Sequence, residues 1–138
     1  TLATAAQLLG LGQRILDTAV RYAKTRTQFS KPIGSFQAVQ HHLVDALLKL
    51  RFAAPLVYRA AWSLDEHAPD RSVHIAMAKI AASEAASLAC RKSLQVHGAI
   101  GYTVELDLHM WMKRVLVLEH QYVDAVWHRE RAAEALLD

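Results

Sequence analysis

Residues 70–97 read DRSVHIAMAKIAASEAASLACRKSLQVH, with no glycine or proline. Alanine has the highest helix propensity of all residues, so an alanine-rich run of this length predicts one long helix. Asp70 is its predicted N-cap and Gly98 its predicted left-handed C-cap. Small side chains let neighbouring helices approach, and this surface is formed by Ala78, Ala81, Ala82, Ala85, Ala86 and Ala89. Bulk should come from Val73, Met77, Ile80, Leu88 and Leu94.

The segments on either side have the same helical character. Residues 2–24 place Leu8, Leu11 (with Ile15), Ala19 and Tyr22 at spacings of three and four, which predicts a first helix. After a loop over 25–34, Ser35 is the predicted N-cap of a second helix over 35–64, which Pro55 should kink or split. The buried face of that second helix is predicted to contain Val39, Leu43, Leu47, Leu50, Val57 and Leu64.

The last predicted helix begins at Thr103 as its N-cap and continues to the C-terminus. Short connections between four long helices make sequence neighbours antiparallel, so the predicted fold is all-α, an antiparallel up-down four-helix bundle. Residues 1–138 are enough for one domain with a hydrophobic core. The first residues, TLAT, include neither an initiator methionine nor a basic signal region, so we expect a fragment of a longer chain cut at a domain boundary.

Composition restricts the possible functions. The chain contains no run of 18 uncharged apolar residues, which predicts no membrane insertion. A net charge of +3 fits scattered solvated cations, and with no groove-reading motif we expect no nucleic-acid partner. Cys90 is the single cysteine, which excludes an internal disulfide and is typical of the cytoplasm, the expected location.

Metal and nucleophile sites receive little support from the sequence. His120, Asp124 and His128 would share one face of a continuous last helix, but no Glu-x-x-His and no second acidic helix complete a metal shell. We therefore predict no metal. Cys90 lies among alanines and leucines, where a thiol is usually inert packing.

Two segments carry more information. Residues 24–37, KTRTQFSKPIGSFQ, gather three cations, two aromatic rings and two amides between helices, and arginine can grip phosphate through its fork of donors. Residues 95–103, QVHGAIGYT, place small residues after a helix, where a backbone can approach a ligand closely. Each segment taken alone also fits a plainer structure: a solvated basic loop in the first case, and a helix end with a tight turn in the second.

Taken together, the two segments resemble the C-terminal domain of acyl-CoA dehydrogenases. The matching residues are Arg26-Thr27-Gln28-Phe29, Pro32-Ile33, Phe36-Gln37 and Gln95-x-x-Gly98-Ala99-x-Gly101-Tyr102. The family pattern is Arg-x-x-Phe-Gly, then Phe-Gln, then Gln-x-x-Gly-Gly-x-Gly-Tyr, in the same order and spacing. The resemblance covers nearly the whole chain. It implies a C-terminal four-helix bundle in an enzyme that uses FAD to oxidise an acyl-CoA thioester to the enoyl-CoA.

The resemblance also implies roles for single residues. Arg26 would hold the FAD pyrophosphate and Phe29 would pack near the adenine, with Gln28 and Gln37 as polar contacts. The contact to the ADP part would come from Gln95, Gly98 and Ala99. In the family these groups reach the FAD of a neighbouring subunit, so the implied assembly is a homo-oligomer or a heterotetramer with a related subunit. Acyl-CoA is the implied substrate, and an electron-transfer acceptor is a further implied partner.

Departures from the family pattern affect the expected chemistry. Ser30 and Ala99 replace glycines, and Tyr122-Val123-Asp124 stands where many members carry Glu-Gly-Thr, whose glutamate removes the α-proton. Tyr122 has no carboxylate, and Glu119 lies three residues too early. We therefore expect no catalytic residue in this chain, with the base upstream or on a partner chain. The alternative is a non-catalytic helical assembly module that keeps the fold without the redox site. Residues 101–109 look closest to actinobacterial-type members.

Overall fold

The computed structural model describes residues 1–137, and its elements are almost all helical. The helices are α1 (Leu2–Thr25), α2 (Gln37–Asp65), α3 (Arg71–His97), α4 (Leu108–His120) and α5 (Ala125–Leu137). A two-stranded hairpin, β1 (Thr27–Gln28) with β2 (Lys31–Pro32), follows α1, and two 3-10 helices cover Ile33–Ser35 and Gly98–Tyr102. The predicted all-α bundle is confirmed, with α4 and α5 together forming its fourth helical region.

Helix α3 is the centre of the bundle, because α1, α2, α4 and α5 all pack against it. Its inward face consists of fully buried alanines: Ala78, Ala82, Ala85, Ala86 and Ala89. The bulkier side chains predicted for its core lie at the flanks instead, and Met77 is 41% exposed. The bulk of the core comes from the neighbouring helices, which contribute Leu8, Ile15, Leu50, Leu108 and Leu118. Small side chains on α3 therefore let large ones from the helices around it interdigitate.

The segment Arg71–Tyr102 is long and apolar enough to cross a membrane, with a mean hydropathy of 1.2 over its most apolar window. Half of that window is buried inside the bundle. A core helix with neighbours on several sides has an apolar composition for that reason alone.

Of the predicted kink or split at Pro55, the split is wrong, because helix α2 runs unbroken through this residue. Pro55 and Arg51 are both exposed, which leaves water free to replace the N–H partner that the Arg51 carbonyl loses. Of the predicted buried face, Leu50 and Val57 are buried, while Val39, Leu43 and Leu47 are half-buried. Leu64 is 42% exposed, because the last turn of α2 extends past the core.

Helix caps follow the sequence only in part. The N-cap of α2 is Phe36, since the Ser35 hydroxyl donates to the Pro32 carbonyl at 2.8 Å and so closes the preceding 3-10 turn. Asp70 is at the N-cap of α3, as predicted, but without a side-chain capping hydrogen bond. Gly98 ends α3 with φ +64° and ψ −139°, a positive φ that confirms the need for glycine but lies outside the left-handed helical region.

The last predicted helix is wrong at its start and in its continuity. The Thr103 hydroxyl donates to the Ile100 carbonyl at 2.9 Å, which closes the 3-10 helix, and α4 begins only after Asp107. Gln121 is already extended, and left-handed residues follow it, so α4 and α5 are separate helices.

Candidate functional site

The two segments singled out in the sequence lie at the same end of the bundle, here called the loop end and defined by residues 24–37 and 95–103. There α1 ends, α2 begins and α3 ends. A small apolar cluster joins the three helices, with Val96 of α3 packed among Ala19, Ala23, Tyr22, Ile33, Val39 and Leu43. The fold therefore brings together two segments about 70 positions apart.

The hairpin between α1 and α2 has a tight turn with two left-handed residues, Phe29 at φ 53° and Ser30 at φ 63°. Strands β1 and β2 pair Thr27 with Pro32 and Gln28 with Lys31. Two central residues with positive φ are typical of a type I′ turn, which favours glycine. A side chain in this conformation costs roughly 1–2 kcal/mol, so Ser30 carries strain that a glycine would avoid.

Phe29 presents an aromatic ring to the outside of the loop end. The ring is 86% exposed and touches Phe36 edge to face, with ring centroids 6.2 Å apart. The Lys31 ammonium lies 4.4 Å from the Phe36 ring centroid, so a cation and two rings share this surface. Such a surface can stack against a planar group and attract an anion.

Arg26 has a fixed backbone and a free side chain. It is the C-cap residue of α1: its N–H donates to the Tyr22 carbonyl at 2.8 Å, and its own carbonyl accepts from the Ile33 N–H at 2.8 Å. The side chain is exposed, and within residues 1–137 no carboxylate forms an ion pair with it. The guanidinium is thus available to an external anion.

Three exposed amides surround the same end. Gln28 lies on β1, Gln37 is the first residue of α2, and Gln95 lies in the last turn of α3. Each amide offers both a donor and an acceptor to a polar ligand. Neither 24–37 nor 95–103 contains an aspartate or glutamate, so the loop end has only positive formal charges.

The backbone after α3 is open at Gly98 and Ala99, the two residues of this turn that were predicted as cofactor contacts. A Cβ on Gly98 would meet nothing within 4 Å, so only the positive φ requires glycine there, and Ala99 is exposed with φ outside the left-handed region. A ligand could therefore approach both backbones. A Cβ on Gly101 would lie 2.9 Å from Leu94 Cδ1 and 3.1 Å from His97 Cβ. Gly101 is thus buried and required for internal packing, unlike Gly98.

The turn between α4 and α5 contains Tyr122-Val123-Asp124, the residues that depart from the family pattern of Glu-Gly-Thr. Tyr122 (φ 56°) and Val123 (φ 72°) are both left-handed. On the α4 side, the fully buried Lys79 donates its ammonium to the carbonyls of Leu118 and Glu119, the latter at 3.2 Å. Burial lowers the pKa of Lys79, and the Glu119 carboxylate opposes that shift. A lysine of α3 therefore caps the C-terminus of α4.

Two further side chains close the turn on the α5 side. Asp124 Oδ1 accepts from the N–H groups of Val126 (3.1 Å) and Trp127 (3.0 Å), and the bond from Trp127 is the main cause that lowers the pKa of Asp124. His128 Nε2–H donates to the Tyr122 carbonyl at 3.0 Å, and burial lowers the pKa of His128. The predicted shared face of His120, Asp124 and His128 is wrong, because the helix is interrupted. Within residues 1–137 no cluster of His, Cys, Asp or Glu suits a metal.

Sequence reasoning gave no role to two of the buried polar residues, Lys79 and His97. Lys79 was visible as the lone charge in the apolar run 75–82, although nothing in the sequence shows that its acceptors lie about 40 positions away. His97 falls inside the second informative segment and stacks on Tyr22. Cys90 is buried as predicted, and burial raises the pKa of its thiol to about 12, which leaves it unreactive.

The sequence is similar to proteins of a known family over most of its length. Residues 2–121 match the family described as acyl-CoA dehydrogenase, C-terminal domain. The chain is 38% identical over 115 residues to a probable acyl-CoA dehydrogenase, YngJ, of Bacillus subtilis, covering 83% of this chain and 30% of that protein. It is 42% identical over 110 residues to the acyl-CoA dehydrogenase IpdE2 of Mycobacterium tuberculosis, covering 80% of this chain and 33% of that protein.

Solved structures agree with the sequence matches. Butyryl-CoA dehydrogenase from Megasphaera elsdenii superposes with a TM-score of 0.94 at 31% identity, covering 99% of this chain and 36% of that one. The ChsE4–ChsE5 complex from M. tuberculosis gives a TM-score of 0.93 at 29% identity, covering 99% of this chain and 37% of that one. The chain therefore spans about a third of the length of the relatives it matches.

Proposed function

The chain belongs to the acyl-CoA dehydrogenase family as a C-terminal domain, and we propose that it supplies contacts to the ADP part of FAD and an oligomer interface in an enzyme that dehydrogenates acyl-CoA thioesters. The observation that carries this proposal is the loop end. There an anchored but unpaired Arg26 lies on the same end of the bundle as exposed amides, an exposed ring and an open glycine backbone.

The residues of the loop end fit the charge and shape of this cofactor part. The pyrophosphate carries two negative charges, and a guanidinium can bind it through two parallel hydrogen bonds. Adenine is a planar ring that the exposed face of Phe29 can cover. The proposed contacts are Arg26, Gln28, Phe29, Gln37, Gln95, Gly98 and Ala99.

When bound, FAD supplies the two-electron oxidation of the Cα–Cβ bond. The part of this chain is to bind and orient: Arg26 neutralises phosphate charge, while the amides and the Gly98 backbone fix the adenosine end. The turn at Tyr122 carries a phenol in place of the carboxylate that removes the α-proton in the family pattern. We therefore assign the base to a carboxylate elsewhere in the full protein or on a partner chain. The domain alone is expected to be inactive.

The assembly implied by this function is an oligomer, either of identical chains or with a related subunit. One structural relative is the ChsE4–ChsE5 complex, and another is described as an electron-transferring flavoprotein of Acidaminococcus fermentans that carries out flavin-based electron bifurcation. By analogy, we propose acyl-CoA as substrate and an electron-transfer acceptor as partner of the full protein. A cytoplasmic location remains part of the proposal.

Replacing Arg26 tests the cofactor assignment. In the full-length protein, Arg26→Ala should weaken FAD binding by roughly ten- to a hundredfold, since one charged hydrogen-bond contact is worth about 1.5–3 kcal/mol. Flavin retained after dialysis, measured by absorbance, gives the occupancy. Arg21→Ala is the matched control, because Arg21 is also exposed on α1 but lies five residues before Arg26 and outside the loop end. Equal occupancy in both variants would mean that Arg26 is only a solvated cation.

The second candidate is a non-catalytic assembly subunit, and the sequence Tyr122-Val123-Asp124 favours it. Such a subunit would keep the bundle and its interface without supporting oxidation. The purified full-length protein distinguishes the two by flavin absorbance and by reduction of bound flavin on addition of acyl-CoA. A stable oligomer without flavin would support the assembly subunit and contradict the first proposal.

A further inference from the structure

Tyr22 and His97 form an aromatic contact between α1 and α3 at the loop end. The ring centroids are 4.6 Å apart with an interplanar angle of 29°, and His97 is only 4% exposed. His97 Nδ1 lies 2.7 Å from the Ser93 carbonyl oxygen. A carbonyl can only accept, so Nδ1 carries the hydrogen, and this bond fixes the plane of the imidazole against Tyr22.

The imidazole of His97 is not the side chain that stability alone would favour. Its Nε2 is buried and has no hydrogen-bond partner within residues 1–137. The Ser93 carbonyl is also four residues before His97, the position that accepts the backbone N–H in a helix, so it does not need the side chain. A buried unpaired nitrogen costs about 1–3 kcal/mol, which an apolar side chain would avoid. Departures of this kind concentrate at functional positions.

The pair is directly connected to proposed cofactor contacts on both sides. The Tyr22 carbonyl accepts the Arg26 N–H at 2.8 Å, which sets where Arg26 leaves α1. His97 lies between Gln95 and Gly98 in sequence, and Gly101 packs against its Cβ. The contact therefore joins the end of α1, which carries Arg26, to the end of α3, which carries Gln95 and Gly98.

We propose that Tyr22 and His97 are positioning residues for the cofactor contacts: their stack sets the separation of Arg26 from Gln95 and Gly98. This inference rests on the proposed function and adds two residues that touch no ligand themselves. The stack acts as one unit, so removing either ring should have the same consequence as removing both.

The test uses the full-length protein and its affinity for FAD. Tyr22→Leu and His97→Leu should each raise the FAD dissociation constant roughly three- to tenfold, which is the value of one aromatic pair. The double variant should be no weaker than either single variant. Tyr22→Phe keeps the ring and should restore affinity to within about twofold of wild type. The absorbance spectrum of bound flavin should stay unchanged, since the isoalloxazine surroundings are not altered.

Controls separate positioning from loss of fold. His74→Leu removes another histidine of α3 at the opposite end of the helix and should leave FAD affinity unchanged. Helicity by circular dichroism and assembly mass should match wild type in every variant. Unchanged FAD affinity in Tyr22→Leu and His97→Leu, or additive losses in the double variant, would overturn the inference. If Arg26→Ala also left affinity unchanged, the proposed function itself would fail, whereas a loss in Arg26→Ala alone would refute only the positioning role.

Discussion

Tyr122 and Glu119 each have only one of the two properties that a base on the α4–α5 turn would need. Tyr122 stands where the predicted alignment puts the glutamate of the family pattern, but Tyr122 is 59% exposed and its phenol is no carboxylate. Glu119 has the carboxylate but belongs to the last turn of α4. There it lines a cavity of about 400 Å³ with Lys49, Glu84 and Arg91. Neither residue is therefore a carboxylate at the position that the family pattern gives to the base.

Glu119→Gln is therefore expected to have a small effect. In the active assembly, turnover should fall less than about tenfold, under roughly 1.4 kcal/mol of barrier. The measurement is flavin reduction by acyl-CoA under single-turnover conditions, with flavin content and assembly mass checked in parallel. A fall of several orders of magnitude with both unchanged would show that Glu119 is the base and that the alignment is off by three residues.

The residue scale also shows what sequence can and cannot predict. Positions defined by a local motif, such as Arg26 and Gln95, could be placed at the loop end because the motif fixes their place on a helix end. The effects of Ser30 and Ala99 could not be predicted from the sequence. Both stand where the family pattern has glycine, but only Ser30 has a left-handed backbone. The role of Lys79 depends on carbonyls about 40 residues away, which only the packed structure brings together.

At the scale of elements, two glycines of α1 differ although they are two residues apart. A Cβ on Gly12 would lie 2.7 Å from Leu50 Cδ2 and 3.2 Å from Ala86 Cα, at the crossing of α1 with α2 and α3. A Cβ on Gly10 would meet nothing within 4 Å. Helix periodicity therefore directs only Gly12 into the crossing.

Alanine at the two glycines should shift stability in opposite directions. Gly10→Ala should raise the free energy of unfolding by about 0.5–1 kcal/mol, because alanine favours the helix. Gly12→Ala gains the same propensity, but overpacking costs about 1–3 kcal/mol, so its net effect should be destabilising. Urea denaturation of the domain followed by circular dichroism measures both. Stabilisation by Gly12→Ala would mean that α2 and α3 can move apart at little cost.

The start of α5 depends on the cap at Asp124. Asp124→Ala removes the acceptor for two N–H groups, so the unfolding temperature should fall by a few degrees at pH 7. Folding lowers the pKa of the Asp124 carboxyl below its ordinary value of 3.8. The stability that this carboxylate contributes is therefore fully present above pH 3.8 and is lost as the pH falls through the lowered pKa. The difference in unfolding temperature between wild type and Asp124→Ala should become smaller below about pH 3.8. A difference in unfolding temperature that stays the same at every pH would show that the charge of Asp124 does not contribute to it.

Element boundaries were the least predictable feature for a similar reason. Ser35 and Thr103 are good cap residues in isolation, but the hydroxyl of each donates to a carbonyl three residues earlier and closes a 3-10 turn instead. The break between α4 and α5 requires left-handed Tyr122 and Val123, residues with no turn propensity that would reveal it. Long helices were predictable because their periodic pattern extends over many residues, whereas their ends depend on a few competing hydrogen bonds.

For the whole molecule, the most informative surface is the outer face of α2. Large apolar side chains follow one another along it, namely Val44 (48% exposed), Leu48 (50%), Phe52 (72%), Tyr58 (70%) and Trp62 (51%). Their spacing puts all five on one side of the helix. A continuous exposed apolar strip of this kind is typical of an interface, so the domain is expected to associate through it.

Phe52→Glu tests that expectation, because Phe52 lies near the middle of the strip and carries its most exposed side chain. By light scattering at micromolar concentration, the wild-type domain should exceed the 15.4 kDa of one chain, and the variant should approach it. Burying a phenylalanine is worth about 1.5–3 kcal/mol, and a two-fold interface loses this contribution twice while gaining two buried charges. Val104→Glu is the matched control, since Val104 is 85% exposed in the segment before α4 and lies outside the strip. A wild-type domain of monomer mass, or equal effects of the two glutamates, would show that α2 is not the contact between copies.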